Sequence, residues 1–328
     1  RGLGDVYKRQ EIDRDFVLLD WWYEAEHLDF DRVKAFADAG LEFWVCPGTS
    51  SWNSLFPRVE NSRLNISRWA DAGRRHGARG LLNTDWGDFG HYNLLGNSWF
   101  AYAWGAQESW SGGCDAKAFD AAISRRWFDD ASGEVARLYR ALGGVQDPGF
   151  AMFNGSPLQY LYFDEVGRSY FSEAARPAAL GRCEKKLLAI AERIERARER
   201  FGDDELTWHE LGYAASASLL AVRKTALALE YNAWRREPAS LDARARKKLA
   251  KGLRGVADEQ RALGRTLKKL WLARSAISNF EQVAGRLARS VRGLRGAASQ
   301  LERNRPAAPP PPHEGFKGPE IVRILRGH

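Results

Sequence analysis

Cysteine is scarce in this chain, and long apolar runs are missing altogether. The three cysteines, Cys46, Cys114 and Cys183, are scattered and odd in number. They supply neither a metal-ligand spacing nor a disulfide framework, and no cofactor is expected. No apolar run approaches about 18 residues, so no membrane-spanning helix is expected. No recognised nucleic-acid motif occurs. The net charge of +8 is read as surface chemistry, because Glu184, Glu192, Glu195 and Glu199 interleave with basic neighbours as on an ordinary solvated helix. The first ten residues carry neither an initiator Met nor a signal-peptide pattern. They are expected to be a non-native segment and are set aside, which leaves the compartment open.

Tryptophan, by contrast, is abundant. Thirteen occur in 328 residues, nine of them within the first 110. The stretch 79–93 (RGLLNTDWGDFGHYN) concentrates the chemistry. A short apolar run, 80–82, reads as a buried strand and leads into Asp85, Trp86, Asp88, His91 and Tyr92, punctuated by Gly87 and Gly90. Glycines let the backbone turn while aromatic and carboxylate side chains converge, which is the pattern of a pocket floor. An indole face can cover the C–H face of a sugar ring while a carboxylate accepts hydrogen bonds from its hydroxyls.

Two earlier runs have the same form. Residues 16–20 lead into Trp21, Trp22, Tyr23 and Glu24; residues 42–46 lead into Pro47, Gly48, Thr49, Ser50, Ser51, Trp52 and Asn53. Amphipathic stretches at 30–39 and 65–76 separate the runs and stop at Gly40 and Gly77, and 98–110 supplies a third. Strand and helix alternating, with a polar and aromatic cluster after each strand, predict parallel βα units of a barrel or doubly wound sheet, with function at the C-terminal strand ends.

From Lys117 onward the pattern becomes helical. Periodic stretches at 174–201, 206–235, 241–270 and 271–301 predict about four long helices in an antiparallel bundle. Residues 306–312 form a polyproline stretch marking a linker or tail, and 321–325 a short element of its own. The expected units are therefore an α/β part over 11–113, an α-helical part over 114–303 and a Pro-rich tail over 304–328. The adjacent acids Asp164 and Glu165 lie in the helical region, away from the strand ends, and His209 and Cys183 have no partners at ligand spacing. The acid pair is set aside as a catalytic dyad for that reason, and His209 and Cys183 are read as packing or surface residues.

Three pieces of the first 112 residues resemble family 20 glycoside hydrolases, the β-N-acetylhexosaminidases, with the hexosaminidase-D-like branch nearest. Residues 20–24 (DWWYE) are similar to the end of that family's sixth barrel strand. Residues 47–53 (PGTSSWN) are similar to its seventh-strand loop, and 77–88 (GARGLLNTDWGD) to its eighth strand with a Thr-x-Trp-Gly-Asp motif. The resemblance implies the last three or so βα units of a (β/α)8 TIM barrel followed by a helical bundle. It implies substrate-assisted retaining hydrolysis of terminal N-acetylhexosamine, in which the acetamido oxygen attacks the anomeric carbon. Tyr23 would hold that oxygen, Trp52 and Trp86 would wall the sugar, Asp88 would bind outer hydroxyls, and Trp22 and Glu24 would complete the substrate contacts. The family's catalytic Asp-Glu pair follows the fourth strand and has no counterpart here, so the chain is expected to be a fragment without a general acid. Two other readings stay open: a non-catalytic carbohydrate-binding protein, and a basic helical interaction module.

Overall fold

The computed structural model describes residues 12–27, 29–167 and 171–308. The expected non-native segment at 1–10, the element at 321–325 and most of the proline-rich tail lie outside those residues. The three apolar runs do pair: β1 (Leu18–Trp21), β2 (Phe43–Cys46) and β3 (Gly80–Leu81) form a parallel sheet in the order β1-β2-β3. The register sets Leu18 against Phe43 and Trp44 against Gly80. Gly80 is needed there, because a Cβ would sit 2.6 Å from the Trp44 ring. Helix α1 (Asp31–Asp38) joins β1 to β2, and α2 (Val59–His76) joins β2 to β3. Gly77 ends α2 in the left-handed conformation at φ 77°, the ordinary use of a glycine after a last helical turn.

The remainder is helical: α3 (Trp99–Ser111), α4 (Ala116–Phe128), α5 (Glu134–Gly143), α6 (Pro157–Phe163), α7 (Pro177–Arg196), α8 (Glu205–Arg236), α9 (Ala243–Arg274) and α10 (Phe280–Arg303). Aspartates start several of them. Asp115 accepts hydrogen bonds from the Ala118 and Lys117 amides, Asp204 from Thr207 and Asp242 from Ala245, satisfying donors that the first helical turn leaves free. The four long helices α7–α10 run antiparallel to their chain neighbours. Trp208 and Arg223 of α8 reach Ile194 and Glu184 of α7. Asp258 and Arg254 of α9 meet Arg295 and Glu302 of α10.

The partial (β/α)8 barrel expected from the resemblance is overturned. Among the described residues the sheet has only three strands, of four, four and two residues, and every regular element after β3 is a helix. The reason lies in the packing. A barrel strand is buried on both faces, whereas Leu19 and Trp21 of β1 stay 51% and 54% exposed. The main apolar core runs from Leu55 to Leu301 through residues of the helices and their connecting loops and contains no strand residue. The sheet has a small core of its own, built from Val33, Phe36, Leu41, Phe43, Val45 and Trp69. The protein is thus a helical assembly carrying a short parallel sheet, and its main core crosses position 113.

Candidate functional site

Beyond the C-terminal ends of the strands lies an open cavity of about 680 Å³. It is lined by Leu19, Trp21, Tyr23, Cys46, Trp52, Leu82, Asn83, Thr84, Asp85, Trp86, Asp88 and Asn154. Strand alternation explains the first two: residues 19 and 21 share one face of β1, and Asp20 turns to the other, while Tyr23 follows two residues past the end of the strand. Helix α2 then fixes the loop after β1. Asn61 donates to the Tyr23 carbonyl at 2.8 Å and accepts from the Ala25 amide at 2.9 Å. Asn65 and Trp69 each donate to the Trp22 carbonyl at 2.8 Å. With its backbone held at these points, Tyr23 has little freedom to leave the cavity.

Four of the expected residues come together. Tyr23 packs edge-on against Trp52 at 4.7 Å between ring centres and stacks on Trp21 at 5.5 Å. Trp86 donates its indole N–H to the Tyr23 hydroxyl oxygen at 2.8 Å, with Thr84 Oγ1 a second acceptor at 3.1 Å. The Tyr23 hydroxyl thus accepts from the indole and, at 3.5 Å, from the Thr84 hydroxyl, and it donates to no acceptor among the described residues. Burial pushes the Tyr23 phenol up, partly offset by the hydrogen bonds from Thr84 and Trp86, so at neutral pH it stays a donor. Trp86 is 48% exposed, leaving indole surface open to the cavity. Asp88, on the 3-10 turn Asp88–Gly90, is exposed and makes no side-chain ion pair among the described residues.

Trp52 is held from the helical half. Its indole N–H donates to Asn154 Oδ1 at 2.9 Å, and the Asn154 amide donates to Glu24 at 2.9 Å. Glu24 in turn pairs with Arg58 at 2.8 Å. Glu24 and Trp22, expected as substrate contacts, therefore do not line the cavity. Glu24 is spent on Arg58 and Asn154, and Trp22 packs against Phe153 on the other side of the loop. Asp85, expected in the pocket floor, does line the cavity, and so do Trp21, Asn83 and Asn154, to which the family resemblance gave no role. Asp85 accepts from the Tyr102 hydroxyl at 3.1 Å; burial, then the Asp85 charge, pushes the Tyr102 phenol well up. Asn154 precedes Gly155 and has φ 54°. The Asn-Gly pair signals a turn, yet nothing local says that the turn reaches a site a hundred residues away.

Gly48 completes the floor. A Cβ there would lie 2.5 Å from Trp52 and 2.9 Å from Tyr23, so the two rings meet over the bare backbone. Asp164 is a structural capping acid: its carboxylate accepts from the Ser172 amide at 2.8 Å and from the Ser172 hydroxyl. No helix among the described residues is long and apolar enough to cross a membrane.

No family model and no curated protein matches the chain. A similar solved structure is that of a GH138 enzyme targeting pectin rhamnogalacturonan II. It has a TM-score of 0.47 and 9% identity, covering 83% of this chain and 55% of that one. The chain therefore spans about half the length of that enzyme. A likeness so distant carries no functional argument, and the cavity is interpreted from its own chemistry.

Proposed function

We propose that the cavity binds a carbohydrate, and specifically a terminal N-acetylhexosamine of a glycan or glycoside, as the family 20 resemblance of its lining implies. The observation that carries this reading is the meeting of Tyr23, Trp52, Trp86 and Asp88 in one open cavity. Trp86 offers an apolar face to a sugar ring, and Tyr23 offers a proton to a carbonyl oxygen such as that of an acetamido group. Asp88 offers a free acceptor to hydroxyls, and Trp52 walls the floor. Amphipathic ligands with an apolar ring face and a polar rim suit such a mixture.

Hydrolysis is the finer reading, and the residues support it less. Glycosidases need a carboxylic acid placed to protonate the leaving oxygen. Of the two carboxylates in the lining, Asp85 is engaged by Tyr102 and Asp88 is exposed. Binding without turnover is the expected behaviour of this chain. The test is titration calorimetry with N-acetylglucosamine, N-acetylgalactosamine and glucose, beside a release assay on p-nitrophenyl N-acetylglucosaminide. Saturable binding that requires the acetamido group and is lost in Tyr23→Phe supports the reading. Equal binding of glucose removes the acetamido assignment, and aryl release would show that the lining supports turnover and not binding alone.

A further inference from the structure

The positive charge of this protein is concentrated in one place. Residues 241–303, the α9–α10 hairpin, hold sixteen Lys and Arg against five Asp and Glu, so the hairpin alone exceeds the chain's net charge of +8. Many of these side chains, among them Lys251, Arg261, Arg265, Lys268 and Arg292, are exposed and make no ion pair among the described residues. Such a field draws anions toward whatever recess it surrounds.

A recess is there. A second cavity, of about 620 Å³, opens at the start of α10, lined by Gly90, Tyr92, Trp271, Arg286 and Arg289 together with Glu281 and its neighbours. Arg286 and Arg289 stand three residues apart, on one helix face. Arg286 is held in place: it donates to the Tyr92 hydroxyl at 2.9 Å and lies 5.7 Å from the Phe163 ring centre. Arg289 is exposed and makes no ion pair among the described residues. Trp271 is anchored by its indole N–H, which donates to the Ala276 carbonyl at 2.8 Å. Glu281 cancels one of the two positive charges, which leaves one guanidinium in excess, that of Arg289. A planar guanidinium fork matches a carboxylate or sulfate, and an indole beside it suits a sugar ring.

The two cavities share a loop. Asn83 to Asp88 line the first, and Gly90 and Tyr92 the second. From Asp88 to Gly90 the backbone advances at most about 7–8 Å. The two linings are thus close enough for neighbouring units of one polymer to reach both.

We propose that the second cavity is a glycan subsite for a sugar bearing a carboxylate or sulfate, so that the polymer recognised by this protein is acidic. The proposal rests on the carbohydrate reading of the first cavity for its account of the neighbouring sugar unit. Arg286 also borders a smaller cavity lined by Asp164 and Glu165, so Arg289 is the cleaner probe.

The test compares a hyaluronan hexasaccharide, which alternates N-acetylglucosamine with glucuronate, against neutral chitohexaose and against N-acetylglucosamine alone, by calorimetry. The acidic hexasaccharide should bind at least about tenfold tighter than chitohexaose, a contribution of the size expected for one charge-assisted contact. The advantage should shrink as salt rises toward about 0.15 M. Arg289→Gln should abolish the advantage and leave the affinity for N-acetylglucosamine alone unchanged, while Trp86→Ala should weaken the monosaccharide and preserve the advantage. Equal affinity for the two hexasaccharides, or an Arg289→Gln protein that keeps the preference, overturns the acidic subsite while leaving the first cavity's assignment standing. If N-acetylglucosamine fails to bind but the acidic hexasaccharide binds in an Arg289-dependent manner, the first assignment falls and the anionic subsite stands. Duplex DNA bound more tightly than the hexasaccharide, with the same dependence on Arg289, would reassign the surface to nucleic acid and overturn the proposal.

Discussion

Replacing Gly48 by alanine is the sharpest test of how the first cavity is built. The added Cβ would lie 2.5 Å from Trp52 Cη2 and 2.9 Å from Tyr23 Cδ1, about 1 Å and 0.5 Å inside ordinary contact. Neither ring can retreat cheaply. Trp52 is 1% exposed and pinned through its indole N–H to Asn154. Tyr23 is held between Trp52 and Trp21, with its carbonyl tied to Asn61. Overpacking of this kind costs about 1–3 kcal/mol. Gly48 does not lie at positive φ, so the alanine backbone itself adds no strain and the whole cost falls on the rings. We expect Gly48→Ala to lower the melting temperature by a few degrees and to weaken N-acetylglucosamine binding, because Tyr23 and Trp52 must move. Gly87→Ala is the control: its Cβ would meet only the His91 Cβ, at 3.7 Å. If Gly48→Ala melts and binds like the unsubstituted protein, the contact between the two rings over the backbone is wrong, and with it the shape of the cavity floor.

Trp86→Ala should reduce sugar affinity by about 1–3 kcal/mol, the scale of ring stacking on an aromatic side chain, with little change in melting because Trp86 is half exposed; unchanged affinity would remove the indole from the site. Glu210→Ala should destabilise the fold by about 3–5 kcal/mol, since Glu210 is buried, pairs with Arg274 at 2.7 Å and accepts from the Gly96 amide at 2.8 Å. An urea midpoint close to the unsubstituted value would refute that pairing. Burial raises the Asp20 carboxyl from 3.8 to about 6, against the opposing pull of Arg32. Its folded pKa lies above the unfolded one, so its contribution is present below about 4 and is lost as pH rises through 6. Urea titrations across pH 4–6 should therefore show stability falling with pH in the unsubstituted protein relative to Asp20→Asn, and parallel curves would refute the shift.

Much of the first cavity was legible in residue order. The runs at 42–46 and 80–82 each contain a strand of the sheet, and the run at 16–20 holds all of β1 but its last residue, Trp21, because short apolar runs flanked by glycine-stopped helical periods have few other uses. Tyr23, Trp52, Trp86 and Asp88 follow those runs closely, so their meeting depends on short-range geometry and parallel pairing alone. The long helices were equally visible, since a 3.6-residue period over 20 or more positions leaves little ambiguity. The break between the last two was placed at 270–271, whereas α9 continues to Arg274, because Leu270, Trp271 and Leu272 hide the boundary in apolar residues.

What the sequence determined by itself is therefore local: which segments are strand or helix, and which strand tips carry indole and carboxylate groups. What only the tertiary structure decided is everything that depends on distant partners. Three βα units read as a barrel in one dimension, but whether a sheet closes depends on what covers it, and here the helices pack on one another. Asn154 reaches Trp52 across about a hundred residues, Glu24 turns from the cavity to Arg58, and Gly90 and Tyr92 come to share a recess with Arg286 and Arg289. Those pairings arise from a folded chain's freedom to bring any two surfaces together, and no periodicity or spacing encodes them.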